Sequence, residues 1–315
     1  MAEPAPFRAD LAEGPPTDAF WLHTSDGVRI RVGHACAKGA SGAKGTVFIF
    51  PGRTEYIEKY GRNAKDFVRA GFDTVAIDWR GQGMADRLID NAMVGHVDEF
   101  LDFQKDWAAV RAFAKQQNLP RPWHLVAHSM GGSIGLRALL NGADFKAVMF
   151  SGPMWGINIS SYLRPAAWSL TWAASKLGQG HRIAPGMSLM SYPKAEPFDD
   201  NLLTTDRDMY DYMRHQVEEE PQFGLGGPSL AWLGSALKEC NALAGEPSPA
   251  IPALCFVGSN ERIVDTARIR ERMMHWPGGK LLLVDGAEHE VLMESLNTRR
   301  QVEGAAISLF SSFAP

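Results

Sequence analysis

The sequence predicts an α/β protein with a mostly parallel central sheet, helices on both faces of that sheet and a helical cap insertion. Two observations support this fold class. Short runs that are apolar throughout alternate with stretches of helical spacing, as in parallel strands that are covered by helices. The alternation stops over residues 152–240 and resumes after a proline-rich link. The chain thus divides into an arm (1–19), a core (20–151 and 241–315) and a cap (152–240).

The elements of the predicted core follow in chain order. Residues 1–19 are rich in proline, alanine and acid, so we expect an extended or mobile arm. The predicted strands are a hairpin of 20–24 and 28–35 around Asp26-Gly27, then 46–50, 74–77, 123–127, 147–150, 253–257 and 281–284. The predicted helices are 57–70, 98–117, the segment after Ser129, 266–275 and 298–313. Residues 38–44 read as a flexible loop.

Composition narrows the class of protein. Hydrophobic residues make up 45% of the chain and charged residues 22%, as in ordinary globular proteins. The net charge of −4 gives no indication of a nucleic-acid partner. We recognise neither a signal peptide nor a membrane span, and Cys36, Cys240 and Cys255 lack the spacing of a metal site. These features predict a reduced, cytoplasmic protein that needs no metal or cofactor.

Residues 123–140 contain the strongest chemical motif. The run W-H-L-V-A (123–127) reads as a buried strand, and M-G-G-S-I-G-L-R-A-L-L reads as a helix. Ser129 stands between the two, with Ala127 and Gly131 two residues away on either side. This is the nucleophile elbow G-x-S-x-G with Ala in place of the first Gly, and it predicts Ser129 as a nucleophile.

A serine nucleophile requires a histidine base. The candidates in the later part of the chain are His215, His275 and His289. His215 falls in the cap and His275 on a helix, whereas His289 follows the predicted strand 281–284. Loops that follow parallel strands lie at the edge of the sheet where ligands bind, so His289 is the predicted base. His128, beside the nucleophile, is predicted to be structural.

The base in turn requires an orienting carboxylate. The loop after strand 253–257 reads G-S-N-E-R-I-V-D and offers Glu261 and Asp265, and Asp285 follows the next strand. We favour Asp265, although an aspartate before T-A-R-I-R-E could instead be a helix N-cap.

Two backbone N–H groups are candidate donors to an oxyanion. Met130 would be the first residue of the helix after Ser129, and Arg53 follows Pro51-Gly52 at the end of strand 46–50. A plain strand-ending turn is the alternative at Arg53.

These motifs resemble those of the lysophospholipase and monoacylglycerol lipase family of α/β-hydrolases. The matching segments are P-G-R-T-E-Y-I-E-K-Y, A-I-D-W-R-G-Q-G, A-H-S-M-G-G, S-G-P-M-W-G-I, L-G-G-P-S-L-A-W and G-A-E-H. The resemblance extends from about residue 20 to the end of the chain. It implies a triad at Ser129, Asp265 and His289, with oxyanion donors at Arg53 and Met130. The family usually has His-Gly at Pro51-Gly52, Gly at Ala127 and often Asp at Glu261.

The cap bears on the substrate. Trp168 and Trp172 stand four residues apart in a stretch without charge from 165 to 175. We interpret them, with Trp155, as an apolar lid over an acyl-chain tunnel that could also touch a membrane surface. Packing on the core is the alternative. The acid run 218–220 could bind a substrate ammonium, but a solvated helix end is the simpler interpretation.

The predicted function is a serine carboxylic-ester hydrolase that acts on acyl esters such as lysophospholipids or monoacylglycerols through an acyl-enzyme. An aminopeptidase or amidase with the same triad is one alternative, and a non-catalytic ligand-binding protein is another. The expected partner is a small acyl ester or lipid, while the sequence leaves the oligomeric state open.

Overall fold

The computed structural model describes residues 2–37, 42–160 and 162–314. Within these residues nine strands form one sheet. The strands are β1 (Glu3–Pro4), β2 (Asp18–His23), β3 (Arg29–Ala35), β4 (Thr46–Phe50), β5 (Asp73–Asp78), β6 (Trp123–His128), β7 (Ala147–Ser151), β8 (Ala253–Gly258) and β9 (Gly279–Val284). All the predicted strands are present, with ends that shift by one or two residues.

The strands follow the order β1-β2-β3-β5-β4-β6-β7-β8-β9 across the sheet. The pairs among β1, β2, β3 and β5 are antiparallel, and the remaining pairs are parallel. The predicted fold class is thereby confirmed. In register, Phe50 of β4 pairs with Ala127 of β6, and His128 of β6 pairs with Ser151 of β7. The carboxyl ends of these strands therefore meet at one edge of the sheet, where ligands bind in this class of fold.

Helices cover both faces of the sheet. They are α1 (Ala9–Ala12), α2 (Gly61–Arg69), α3 (Phe103–Gln116), α4 (Met130–Leu140), α5 (Arg164–Lys176), α6 (Tyr192–Ala195), α7 (Arg207–Glu219), α8 (Leu230–Ala244), α9 (Thr266–Met274) and α10 (Leu296–Ser311). Side chains of α3, α4, α8 and α9 pack in the core on one face, and those of α2, α7 and α10 in the core on the other. The predicted helices 57–70 and 98–117 both begin with a short 3-10 turn, at Ile57–Tyr60 and Phe100–Asp102.

The N-terminal arm is more ordered than the sequence suggests. Glu3 and Pro4 pair with β2, and Leu11 and Ala12 are buried. Tyr212 of α7 donates a hydrogen bond of 2.8 Å to the carbonyl of Ala12. Of the two predicted alternatives, an extended or a mobile arm, the described residues 2–19 favour the extended one, because a backbone pairing and apolar contacts fix this segment to the body of the protein. Of the predicted flexible loop 38–44, residues 38–41 lie outside the described residues.

The chain between β7 and β8 carries α5 to α8. Helix α8 packs against α4 of the core and continues to Ala244, so it crosses the predicted cap boundary at residue 240. Helix α5 packs on α8. Across the described ranges, no helix combines the length and apolar character needed to cross a bilayer.

Candidate active site

Ser129 lies at the corner between β6 and α4, as the motif predicts. Its backbone has φ 48° and ψ −117°, a conformation that non-glycine residues rarely adopt. Small neighbours make the corner sterically allowed. A Cβ at Gly131 would collide with the backbone of Phe50 and Pro51, and one at Gly132 would collide with Pro153. The sequence pattern therefore corresponds to a strained turn that presents the Ser129 hydroxyl at the edge of the sheet.

His289 lies beside this hydroxyl. Its Nε2 is 2.9 Å from Ser129 Oγ, and the imidazole is buried in the loop that follows β9. Burial alone would lower the pKa of His289, but the charge and hydrogen bond of Glu261, with smaller contributions from Glu290 and Glu55, together outweigh it, so the pKa lies above its ordinary value. The ring is thus placed to exchange a proton with the serine.

The carboxylate that contacts His289 belongs to Glu261. Glu261 Oε2 lies 2.6 Å from His289 Nδ1, and Oε1 accepts hydrogen bonds from the N–H groups of Ile263 at 2.7 Å and Val264 at 3.1 Å. Burial raises the pKa of Glu261, but His289 and the backbone donors outweigh this and leave it below its usual range. Glu261 is therefore an ionised, fixed carboxylate.

The predicted orienting acid, Asp265, has a different environment. Its Oδ1 accepts hydrogen bonds from the N–H groups of Ala267 and Arg268 at 3.1 and 3.3 Å, which makes it the N-cap of α9. Its Oδ2 pairs with Arg164 at 3.5 Å. The choice of Asp265 is corrected to Glu261, because Asp265 Oδ1 caps α9 and Oδ2 pairs with Arg164, whereas Glu261 Oε2 contacts His289. Asp285, the third candidate, is exposed.

The loop after β4, which holds the predicted donor Arg53, is fastened on several sides. The Glu55 carboxylate accepts from the N–H of Gly52 and, at 2.7 Å, from the hydroxyl of Tyr60. The amide of Gln82 donates to the carbonyls of Gly52 at 2.8 Å and Glu55 at 3.0 Å. A Cβ at Gly52 would lie 3.1 Å from Ser129 Cβ, so this loop runs directly against the serine.

The two predicted N–H donors remain available at this point. Met130 is the first residue of α4, where N–H groups lack an intrahelical acceptor. The backbone N–H of Arg53 donates no hydrogen bond to any residue in the described ranges. Thr54 follows it with φ 67°, another backbone conformation that is unfavourable outside glycine.

A buried charge cluster underlies the histidine. Lys59 Nζ lies 2.7 Å from both Glu55 Oε1 and Glu290 Oε2. His128 Nε2 is 3.7 Å from Glu55 Oε1, and its ring centroid is 4.8 Å from that of His289. Glu55, His128 and Glu290 are close enough to ligate a cation, but the Lys59 ammonium already contacts both carboxylates. Burial lowers the pKa of His128 to about 3, so this imidazole is neutral.

A cavity of about 440 Å³ opens in front of Ser129 and His289. Its apolar lining comes mostly from the cap. The described cap side chains in this lining include Ala184, Met187, Met190, Tyr192, Leu203, Met213, Val217 and Leu225. The sequence did not reveal these residues because most of them lie in irregular chain, where no apolar periodicity marks a lid.

The three tryptophans of the predicted lid are not among the described lining residues. Trp155 is buried under the site, where it donates to the carbonyl of Gly132 at 3.2 Å and packs on Phe150 and Trp276. Trp168 is half-buried on α5, and Trp172 is 66% exposed. The predicted tunnel lining is thus corrected, because these indoles pack on the core or face solvent.

The acid run 218–220 also lies away from the described cavity lining. Glu218 and Glu219 are exposed at the end of α7, and Glu220 pairs with Arg8 at 3.4 Å.

Comparison with known proteins gives a consistent result. A family model described as serine aminopeptidase, S33, matches residues 41–296. Lysophospholipase L2 of Escherichia coli (strain K12) is 34% identical over 280 residues, which cover 84% of this chain and 80% of that protein. Probable lysophospholipase L2 of Haemophilus influenzae is 30% identical over 264 residues, with 83% and 82% covered.

Two solved structures share the fold at lower identity. A soluble variant of monoglyceride lipase from Saccharomyces cerevisiae, solved with a substrate analog, superimposes with a TM-score of 0.72 at 18% identity, covering 93% of this chain and 95% of that one. A thermostable carboxyl esterase from Bacillus coagulans, in complex with glycerol, gives a TM-score of 0.75 at 17% identity, covering 94% and 98%.

Proposed function

The chain belongs to the serine aminopeptidase S33 family of α/β-hydrolases, and on this premise we propose that it hydrolyses acyl esters of lipids, such as lysophospholipids or monoacylglycerols. One observation carries the proposal: the continuous hydrogen-bond chain from Ser129 Oγ through His289 to Glu261 opens on a mainly apolar cavity. A nucleophile, base and orienting acid provide acyl transfer, and the apolar cavity suits an acyl chain. The two lysophospholipase L2 relatives support the same substrate class.

In the proposed mechanism Ser129 Oγ attacks the carbonyl carbon of the ester while His289 Nε2 takes the hydroxyl proton. The ionised Glu261 stabilises the imidazolium that forms. The N–H groups of Arg53 and Met130 donate to the oxyanion, and the N-terminus of α4 adds its dipole. Because these donors are fixed before the reaction, they need little reorganisation.

The tetrahedral intermediate then collapses. The ester C–O bond breaks, and the departing alkoxide receives the proton from His289, which leaves the acyl group on Ser129. Water enters, loses a proton to His289 Nε2 and attacks the acyl-enzyme. The Ser129 Oγ–acyl bond breaks, Ser129 regains its proton and the fatty acid leaves. The steps use side chains and backbone N–H groups of this chain together with one water molecule.

An aminopeptidase activity would require a carboxylate that holds the substrate ammonium beside Ser129. Of the described carboxylates in the cavity lining, Glu55 and Glu290 contact Lys59, and Glu196 lies exposed at the rim. The predicted alternative at 218–220 lies away from the cavity lining, so we favour the ester substrate.

We also propose that the cap meets a lipid surface. Exposed apolar side chains are frequent on α5, its flanks and the segment that leads to α6: Tyr162, Leu163, Leu170, Trp172, Leu177, Met187, Leu189 and Met190. Met187 and Met190 of this set also line the cavity. A lipid monomer could pass from a membrane into the site without crossing water.

The decisive experiment is a substrate panel of p-nitrophenyl esters, lysophospholipids, monoacylglycerols and aminoacyl p-nitroanilides, with Ser129→Ala as control. We expect hydrolysis of the esters, no release from the anilides and no activity in the variant. Turnover of the anilides alone would overturn the proposal.

Co-sedimentation with phosphatidylglycerol vesicles tests the proposed contact of the cap with a lipid surface. Equal binding by wild type and Trp172→Ser/Leu177→Ser would contradict that contact.

A further inference from the structure

Arg53 carries a charge that the protein itself leaves uncompensated. Arg53 is in the lining of the cavity in front of Ser129, as are Gly226 and Trp232, which lie beside its guanidinium. One guanidinium nitrogen, Nη2, donates to the carbonyl of Gly226, while Nε is buried with no hydrogen-bond partner in the described structure. The ring of Trp232 lies 5.4 Å from Cζ. Within the ranges described, no carboxylate lies within ion-pair distance of this arginine.

Two buried arginines face carboxylates instead. Arg31 pairs with Glu58 and Asp78, and Arg80 pairs with Asp26 and Asp106. The buried Arg272 and Arg299 lack an ion pair in the described structure, but they donate to the carbonyls of Leu243 and Glu294. Arg53 is half-buried, but its Nε is removed from water without a partner, which is costly, and burial lowers the pKa of Arg53 to about 10. A protein that places such a group in a binding cavity stabilises an anionic ligand there, because the ligand supplies the missing partner.

One other cationic side chain is among the described lining residues of the cavity, and it already pairs with two carboxylates. Lys59 contacts the carboxylates of Glu55 and Glu290 at 2.7 Å each. The remaining described carboxylate of the lining, Glu196, lies at the exposed rim. Arg53 is thus the group in this lining with free capacity to donate to an anion.

We infer that the Arg53 side chain binds the phosphate of a lysophospholipid substrate and so selects phosphate-bearing esters over neutral monoacylglycerols; this rests on the proposed ester hydrolysis. The placement follows from covalent chemistry. In a lysophospholipid the phosphate is joined to the acyl ester through a short glycerol unit. Gly52, the residue before Arg53, borders Ser129, and Arg53 and Ser129 line the same cavity, so a substrate whose carbonyl is held at Ser129 carries its phosphate in the cavity that Arg53 lines. A planar guanidinium can donate two parallel hydrogen bonds to phosphate oxygens.

The test compares two substrates with the same acyl chain, lauroyl lysophosphatidylcholine and monolauroylglycerol, both below their micellar concentrations. The quantity is the ratio of their kcat/KM values in wild type, Arg53→Met and Arg53→Lys. We expect the ratio to fall roughly tenfold to a hundredfold in Arg53→Met, as for loss of hydrogen bonds to a charged group, and less in Arg53→Lys. Because both substrates use the same oxyanion loop, the ratio cancels any general disturbance of that loop.

Arg182→Met is the matched control, since Arg182 is an exposed arginine of the cap that is not in the described lining of this cavity. Its ratio should equal that of wild type. A second measurement is inhibition of p-nitrophenyl butyrate hydrolysis by sn-glycerol 3-phosphate, with glycerol as the neutral comparison. Inhibition by the phosphate compound should weaken about tenfold or more in Arg53→Met.

The outcomes separate the two proposals. If wild type hydrolyses both lipids and Arg53→Met leaves the ratio and the phosphate inhibition unchanged, the inference is wrong while the proposed function stands. If Arg53→Met lowered kcat/KM equally for both lipids and left inhibition by sn-glycerol 3-phosphate unchanged, the inference would also be wrong. The Arg53 side chain would then serve to hold the loop after β4 in place. If wild type hydrolyses neither lipid nor the p-nitrophenyl ester, the proposed function itself fails.

Discussion

Glu261 Oε2 lies 2.6 Å from His289 Nδ1, and this short contact sets the charge, tautomer and direction of the imidazole that faces Ser129. The carboxylate is itself held by the N–H groups of Ile263 and Val264, so the pair has little freedom to rotate. Four residues later, Asp265 caps α9 instead. The two acids of one loop therefore have separate tasks that mutation can distinguish.

We expect Glu261→Gln to lower kcat by about a hundredfold to ten-thousandfold, because an amide can neither hold the required tautomer nor stabilise the imidazolium. Asp265→Ala should keep kcat within a few fold of wild type but lower the free energy of unfolding by about 0.5–2 kcal/mol through loss of the N-cap. Steady-state kinetics and urea unfolding of both variants provide the measurement. If Asp265→Ala lost its activity and Glu261→Gln kept it, Asp265 would be the orienting acid, as the sequence suggested.

The pH profile should report the same contact. The pKa of His289 is raised, chiefly by Glu261 against burial, with smaller contributions from Glu290 and Glu55. The base must be neutral to accept the Ser129 proton, so kcat/KM should fall as the pH drops through this pKa. In Glu261→Gln the raising charge is gone, and the acid limb of the residual activity should move to lower pH. An acid limb that does not move would show that another group controls it.

The sequence predicted the parts of the site that depend on local pattern. The small residues between a strand and a helix predicted Ser129, and the loop after β9 predicted His289. The structure brings the two side chains together. Glu261 was among the candidates but was not preferred, because two carboxylates in one loop differ only in where their side chains reach. The N-cap alternative at Asp265, visible in D-T-A-R-I-R-E, was the signal that could have decided it.

The cavity was harder to predict. Met187, Met190 and Leu203 lie in chain without periodic apolar spacing, and only the tertiary fold gathers them with Met213 of α7 over Ser129. The paired tryptophans of α5 gave a clearer pattern, yet that pattern does not specify the surface on which a helix packs. The catalytic use of Arg53 and Met130 stays a prediction.

Lys59 offers a test of the buried charge cluster. It lies between Glu55 and Glu290, and all three side chains are buried. Lys59→Met would leave two carboxylates without a cation next to His289, so we expect the free energy of unfolding to fall by about 3–5 kcal/mol. Lys105→Met removes a half-exposed lysine that pairs with Asp26 and Asp102 in contact with solvent, so the free energy of unfolding should change much less. If urea unfolding showed the same loss of free energy of unfolding for Lys59→Met and Lys105→Met, the buried cluster would make no special contribution to stability.

Acyl-chain preference should depend on the methionines at the cavity mouth rather than on the tryptophans of α5. Met187 and Met190 line the cavity, so replacing both with Ala removes apolar contact with a long chain. Since a buried CH₂ contributes about 0.8 kcal/mol, loss of contact with two or three methylenes should lower the ratio of kcat/KM for dodecanoyl and butyryl p-nitrophenyl esters about tenfold or more. Butyryl esters are shorter and should be little affected.

The control is Trp168→Ala/Trp172→Ala, because these indoles are not in the described lining of the cavity. Both variants are measured with dissolved monomeric substrates, so that a lipid surface has no effect. If the dodecanoyl-to-butyryl ratio of kcat/KM fell in the tryptophan variant and stayed unchanged in the methionine variant, the acyl chain would bind against α5 instead.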